Sequence, residues 1–243
     1  MTMRPQTLFT PELDAKKSAE ALRQGLMPTS LRHHVVEVLR AAILQGLFEP
    51  GEQLSDKRLC EFTGASRSLI REAVRQLESE GYIIAQPFRR PTVANLSWPE
   101  IVSLLELREA LEPKAASLAA LRATPDQVAR MEKALRALLL ANSSSTGTDR
   151  LAAKDLFYGV LLESASSNEI AATIAKAHQR MKLARLARIS TLARATEAYE
   201  ELAAIYEAVR CGDASRAKKA ALSHIKAAKA SLEKHHSESS ENG

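Results

Sequence analysis

Cysteine is almost missing: there are two, Cys60 and Cys211, in 243 residues, and no CxxC pair. That excludes a disulfide-stapled scaffold and a cysteine zinc cluster. Aromatic residues make up only 4% of the chain, which argues against a β-sandwich, whose strands favour aromatic and β-branched side chains. No apolar run approaches the ~18 residues of a membrane span. The opening MTMRPQTLFTPELDAKK has no apolar core of a secretory signal, so a cytoplasmic setting is expected, with no membrane partner. Catalytic signatures are missing as well: no HExxH, no glycine-rich phosphate loop and no GxSxG. His33-His34-Val35-Val36-Glu37 has its glutamate and second histidine in the wrong places for a zinc motif. No enzyme is expected.

What the chain does have is a hydrophobic content of 45% with abundant Ala and Leu, enough for a packed helical core and too much for global disorder. Its net charge of +5 and pI near 9.3 are compatible with a nucleic-acid partner without demanding one.

The most informative stretch is PGEQLSDKRLCEFTGASRSLIREAVRQLESEG, residues 50–81. It reads as a short helix from Asp56 to Thr63, a turn at Gly64-Ala65, and a second helix that opens at Ser66-Arg67-Ser68 and runs to Glu80. That is a helix-turn-helix, whose second helix lies in the DNA major groove. Ile70, Ala73, Val74 and Leu77 recur at helical spacing and predict a buried stripe. Arg67, Arg71 and Arg75 lie four apart on a ridge beside it. Ser66 can cap the helix start, where the positive end of the helix dipole favours a phosphate. Arginine can pair with guanine O6 and N7 in bidentate fashion. Arg67 and Arg71 are the candidate base readers; Arg75 could equally be a solvated charge. Cys60 falls among the apolar positions of the first helix, as a small core residue.

Residues 1–28, with Pro5 and Pro11, read as a loosely ordered arm. Residues 31–47 predict a helix with Gly46 near its end, and residues 52–54 a very short strand. Residues 82–86 and 92–94 predict two strands around the tip Pro87-Phe88-Arg89-Arg90-Pro91, a basic wing. The DNA-binding domain spans residues 29–96. From Pro99 onward the pattern is wholly helical: residues 101–122, 126–141, 149–166, 168–190, 193–211 and 214–234, with a polar loop at 142–148. Asp213 is a candidate N-cap. The second domain spans residues 97–235, and residues 236–243 read as a disordered tail. The fold class expected is mainly α: a winged helix-turn-helix followed by an all-α helical bundle.

The stretch from Leu39 to Ile83 resembles the GntR family of bacterial transcription regulators, in its FadR-like (FCD) subgroup, almost position by position. This includes Pro50-Gly51, Ser66-Arg67, Arg71-Glu72 and Glu80-Gly81. LRxxLExxAA at 107–116, FYGVLLESASSN at 157–168 and AVRCGDASRAKKAALSHI at 208–225 extend the resemblance into the second half. It implies a homodimer that binds a palindromic double-stranded DNA operator. It also implies an all-helical domain where a small metabolite, often a carboxylate, modulates DNA affinity. The DNA contacts it implies are Lys57, Ser66, Arg67, Ser68 and Arg71. The wing departs from the family, with Arg90 where a glycine is usual; Arg89 and Arg90 are expected to put their own charge on the phosphates or into the groove.

Many such relatives hold a divalent metal through an Asp, a His four residues later, and two further histidines. The matching positions here are Lys154, Tyr158, Leu202 and His224. One imidazole is a poor zinc or manganese site, so no metal cofactor is expected, although a slip by one residue would bring in Asp155. The effector-site candidates are Arg108, Asp155, Tyr158, Arg185 and His224. Arg108 has two readings: a bidentate partner for an effector carboxylate, or a salt bridge to Glu112 four residues on. His224 likewise either binds the effector or is a buried histidine satisfied by a neighbour such as Tyr158. The competing functional reading is an architectural DNA-binding protein with no effector.

Overall fold

The computed structural model describes residues 28–86, 89–144, 147–186 and 192–241. The chain divides into two compact units, with the boundary between Asn95 and Leu96.

In the first unit, helix α1 (Pro28–Leu44) buries Val35, Val36, Leu39, Ala42 and Ile43. It starts and ends about three residues earlier than the apolar pattern suggests. Leu47 N–H closes on the Ala42 carbonyl instead of continuing the helix. Helix α2 (Asp56–Thr63) and helix α3 (Arg67–Ser79) follow. The turn between them needs a left-handed residue, and Gly64 supplies it with φ 71° while its N–H bonds the Cys60 carbonyl. Strands β1 (Ile83–Ile84) and β2 (Thr92–Val93) pair antiparallel in the register Ile83 with Val93 and Ile84 with Thr92. Both are shorter than the expected 82–86 and 92–94. The strand expected at residues 52–54 is a single bridge, Gln53 to Thr92. Arg40 of α1 forks onto both carboxylate oxygens of Glu80, at 2.9 and 2.7 Å through Nη2. This pins α1 to the C-terminal end of α3.

The second unit is a bundle around helix α4 (Trp98–Arg122). It starts at a capping box: Glu100 accepts from the Ser97 N–H (3.0 Å) and the Ser97 hydroxyl (2.8 Å). Helices α5 (Pro125–Ser144), α6 (Gly147–Ala165), α7 (Asn168–Leu186), α8 (Leu192–Arg210) and α9 (Ala214–Glu241) complete it. Of these, α6, α7, α8 and α9 all pack on α4. That is why α4 buries a broad face, on which Ala115, Ala116 and Ala119 admit close approach, while Ser103, Glu106, Ala110 and Lys114 stay exposed on the other. Two expectations fail here. The polar loop expected at 142–148 is largely helical, because α5 runs to Ser144 and α6 starts at Gly147. The tail expected to be disordered from 236 is helical as far as Glu241; the His236 ring stacks on Trp98 at 4.3 Å, which holds the last turns of α9 to the start of α4. The arm expected at 1–28 lies almost wholly outside the described residues.

Candidate nucleic-acid interface and effector site

The recognition surface is built by burying one face of α3. Ile70, Ala73, Val74 and Leu77 are buried, so Arg67, Arg71 and Arg75 must point outward, and all three are exposed. Ser66 has extended backbone (φ −70°, ψ 156°) and accepts from the Leu69 N–H at 3.4 Å; its hydroxyl also meets that of Ser68 at 3.0 Å. The two hydroxyls therefore sit together at the positive end of α3, as a phosphate contact requires. Ser55 caps α2 through the Arg58 N–H. Arg71 Nε donates to Asp56 Oδ2 at 3.1 Å, so the side chain is already aimed along the motif. Lys57 is exposed, with Glu61 3.9 Å away. On the wing, Arg89 and Arg90 are exposed and line a shallow groove with Gln53, Ile84, Gln86 and Thr92. The rest of the expected tip, Pro87 and Phe88, lies outside the described residues.

A second constellation lies inside the helical unit. Arg108 on α4 is only 1% exposed. Its Nε donates to Glu112 Oε1 at 2.6 Å, while Nη1 and Nη2 are sealed from solvent with no hydrogen-bond partner. Burial opposes the guanidinium charge, but Glu112 and then Tyr158 of α6 outweigh it and raise the pKa. Burial likewise pushes the Glu112 carboxyl up. Arg108 and His178 overcome that and hold it far below the usual carboxylate range. His178 of α7 meets Glu112 Oε1 at 2.7 Å and packs edge-on against Tyr158 at 4.4 Å.

His224 of α9 is buried, with Tyr158 6.4 Å away ring to ring. Its hydrogen-bond partner is not the expected Tyr158 but Glu201 of α8, at 2.6 Å from Nδ1. Arg194 forks onto the same carboxylate at 3.0 and 2.9 Å. An ionised carboxylate only accepts, so Nδ1 carries the proton and Nε2 keeps its lone pair. Burial is the main cause of a lowered His224 pKa, against the Glu201 hydrogen bond.

The cluster leaves out one expected member. Asp155 is about half exposed and takes Lys182 Nζ; among the described residues nothing links it to Arg108 or His224. The Arg185 side chain lies outside the described residues. The sequence reading missed His178, Glu201 and Arg194. His178 has a signal, an isolated histidine on the inward face of α7 between Ala177 and Met181. Glu201 and Arg194 lie in a sequence where acidic and basic residues alternate freely, and only tertiary packing selects them.

Residues 31–93 match the bacterial regulatory proteins of the gntR family, and residues 103–227 match the FCD domain. The chain belongs to the GntR family, FCD subgroup. It is 25% identical over 199 residues to the HTH-type transcriptional regulator YdhC of Bacillus subtilis (strain 168), covering 82% of this chain and 89% of that protein. It is 27% identical over 213 residues to the galactonate operon transcriptional repressor of Escherichia coli (strain K12), covering 79% and 92%. The solved structure of E. coli McbR/YncC shares the fold, with a TM-score of 0.73, 22% identity and 84% of this chain covered against 98% of that one.

At the four positions where the resemblance expects metal ligands, this chain has Lys154, Tyr158, Leu202 and His224. Leu202 has no donor and is fully buried in the apolar core. Tyr158 offers one phenol, and His224 one nitrogen. Among the described residues, no three His, Cys, Asp or Glu side chains group as a cation site. The chain is thus a GntR-family transcriptional regulator whose helical domain belongs to an effector-binding class.

Proposed function

We propose that this regulator binds a palindromic operator as a homodimer and that a small organic acid, held in the helical domain without a metal, changes its operator affinity. Arg67 and Arg71 read base edges. Lys57, Ser66, Ser68, Arg89 and Arg90 contact phosphate or groove and fix the register. Dimerisation sets the separation of the two α3 helices and so the half-site spacing. The acid acts by favouring one arrangement of the DNA-binding units over another.

One observation carries the effector part. Arg108 is fully buried, anchored by Glu112 through Nε, and keeps Nη1 and Nη2 without partners. Unpaired buried donors are expensive, and a carboxylate satisfies both at once in bidentate geometry. Tyr158 and His224 border the same place. A relative by sequence is named as the repressor of a galactonate operon, and galactonate is a carboxylate, which suits an acid ligand here.

The test begins with fragments selected from genomic DNA by the purified protein. Binding to selected and scrambled duplexes is then compared at fixed salt, with and without a panel of organic acids. Sequence preference and an acid response that vanishes in Arg108→Gln support the reading. Equal binding to every duplex defeats the DNA part. A full acid response in Arg108→Gln defeats the effector part.

A further inference from the structure

We infer that His178 is the charge-balancing residue of the effector site: a monocarboxylate binds there together with one proton, taken up by His178. This rests on the effector reading above and adds what ligand charge the site accepts and how pH governs it.

The argument is one of charge in a dry place. Arg108 is 1% exposed and Glu112 2%, and their charges cancel. Glu201 and Arg194 cancel in the same way, and so do Asp155 and Lys182. Burial holds His224 neutral, against the pull of Glu201, to which its Nδ1–H donates. With both histidines neutral, the described residues of the cluster therefore carry no net charge. A carboxylate arriving on Arg108 Nη1 and Nη2 makes it negative, and an uncompensated buried charge is costly.

One group is placed to correct this. His178 touches the very oxygen, Glu112 Oε1, that receives Arg108 Nε. Among the described residues, the groups facing it include Arg108 and Glu112 from α4 and Tyr158 from α6, with His224 of α9 beyond the Tyr158 ring. On α7 itself, Lys182 is one turn away and held by Asp155. Protonated His178 turns the Arg108–Glu112 pair into a triad with one positive charge. One carboxylate neutralises it and a second does not, so the site favours monocarboxylates over dicarboxylates. His178 acts through Glu112 and is a positioning residue.

The experiment uses the full chain, EDTA-treated, with acetate, lactate and hexanoate as monocarboxylates and succinate and malate as dicarboxylates. Thermal shift and calorimetry are run from pH 6.5 to 8.5, where none of these acids titrates. Calorimetry is repeated in phosphate and in Tris so that the difference in buffer ionisation heat counts protons. We expect monocarboxylate affinity to fall about tenfold per pH unit above the ordinary histidine range, with close to one proton taken up. His178→Gln keeps a donor to Glu112 and should lose the pH slope, while Arg108→Gln should lose binding altogether. The wild-type proton count stands even if a variant fails to fold.

Arg108-dependent binding that is flat with pH overturns the inference and leaves the effector reading intact. A slope that persists in His178→Gln overturns it, since the acid then brings its own proton. Dicarboxylates that bind as tightly as monocarboxylates overturn the charge match. If no acid binds, both readings fall.

Discussion

Replacing Glu112 by Gln isolates the cost of an orphaned cation. The change keeps shape and removes one negative charge beside a guanidinium that is 1% exposed. Arg108 does not deprotonate, so it stays charged with its strongest partner gone. Breaking a buried pair from one side costs about 3–5 kcal/mol, against a whole-domain stability of about 5–15 kcal/mol. At a urea slope of about 2 kcal/mol/M, the helical transition should move down by about 2 M. The assay is urea denaturation followed by circular dichroism on the full chain. Its unfolding can show two steps, one per unit, and only the helical step should shift.

A second arm checks the cause. A carboxylate added to the Glu112→Gln protein can take the place of the lost charge, so acetate should restore part of the midpoint, and chloride at equal ionic strength should not. The double variant Arg108→Leu/Glu112→Leu should fold close to wild-type stability, because replacing both charges with apolar groups is often neutral or better. A Glu112→Gln midpoint within the equivalent of about 1 kcal/mol of wild type would refute the reasoning: Arg108 would then be solvated or paired elsewhere.

Other outcomes are expected. Arg67→Ala should cost about 1–3 kcal/mol at one base pair of the operator in competition binding with substituted duplexes, and an equal loss on every sequence would reassign it to phosphate. Lys57→Ala should weaken binding uniformly and reduce the salt slope by about one, read from binding isotherms across salt concentrations. The buried neutral His224 has a pKa lowered from the usual value, so the unfolded chain binds the proton more readily. Its contribution to stability is present above the unfolded value near 6.5 and is lost as pH falls below it. His224→Gln should flatten that part of the pH–stability curve in denaturant titrations. Ser66→Ala should lower the stability of the DNA-binding unit by about 0.5–2 kcal/mol, through its cap on α3, in the same denaturation assay.

The two halves of the chain were unequally legible. The DNA-binding unit is written in local signals: Ser66 as cap, Gly64 as the left-handed turn, and a period-3.6 stripe from Ile70 to Leu77. Each acts within a few residues, so each can be read without knowing the fold. The helical unit lacks such contrast. α4 meets four other helices over one broad face, so its apolar pattern points to no single neighbour. The pair Arg108–Glu112 could be read because i and i+4 share a helix face. The partners of His224 and Glu112 could not: Glu201 and His178 reach them from 23 and 66 residues away, and only packing brings them there. Helix ends slipped for a related reason. Polar stretches such as 142–148 read as loop, yet helix carries through both sides of them.

The Arg71–Asp56 contact has a consequence for how the regulator searches DNA. In the proposed complex, a duplex must win Arg71 from a carboxylate in the same molecule. Because the pair is well exposed, that rivalry is worth at most about 1 kcal/mol, roughly a fivefold handicap. The handicap falls only where Arg71 leaves Asp56 for a base; on a tract that offers no better acceptor the pair stays intact, so Asp56 trims affinity at the preferred site and lets the regulator leave it sooner.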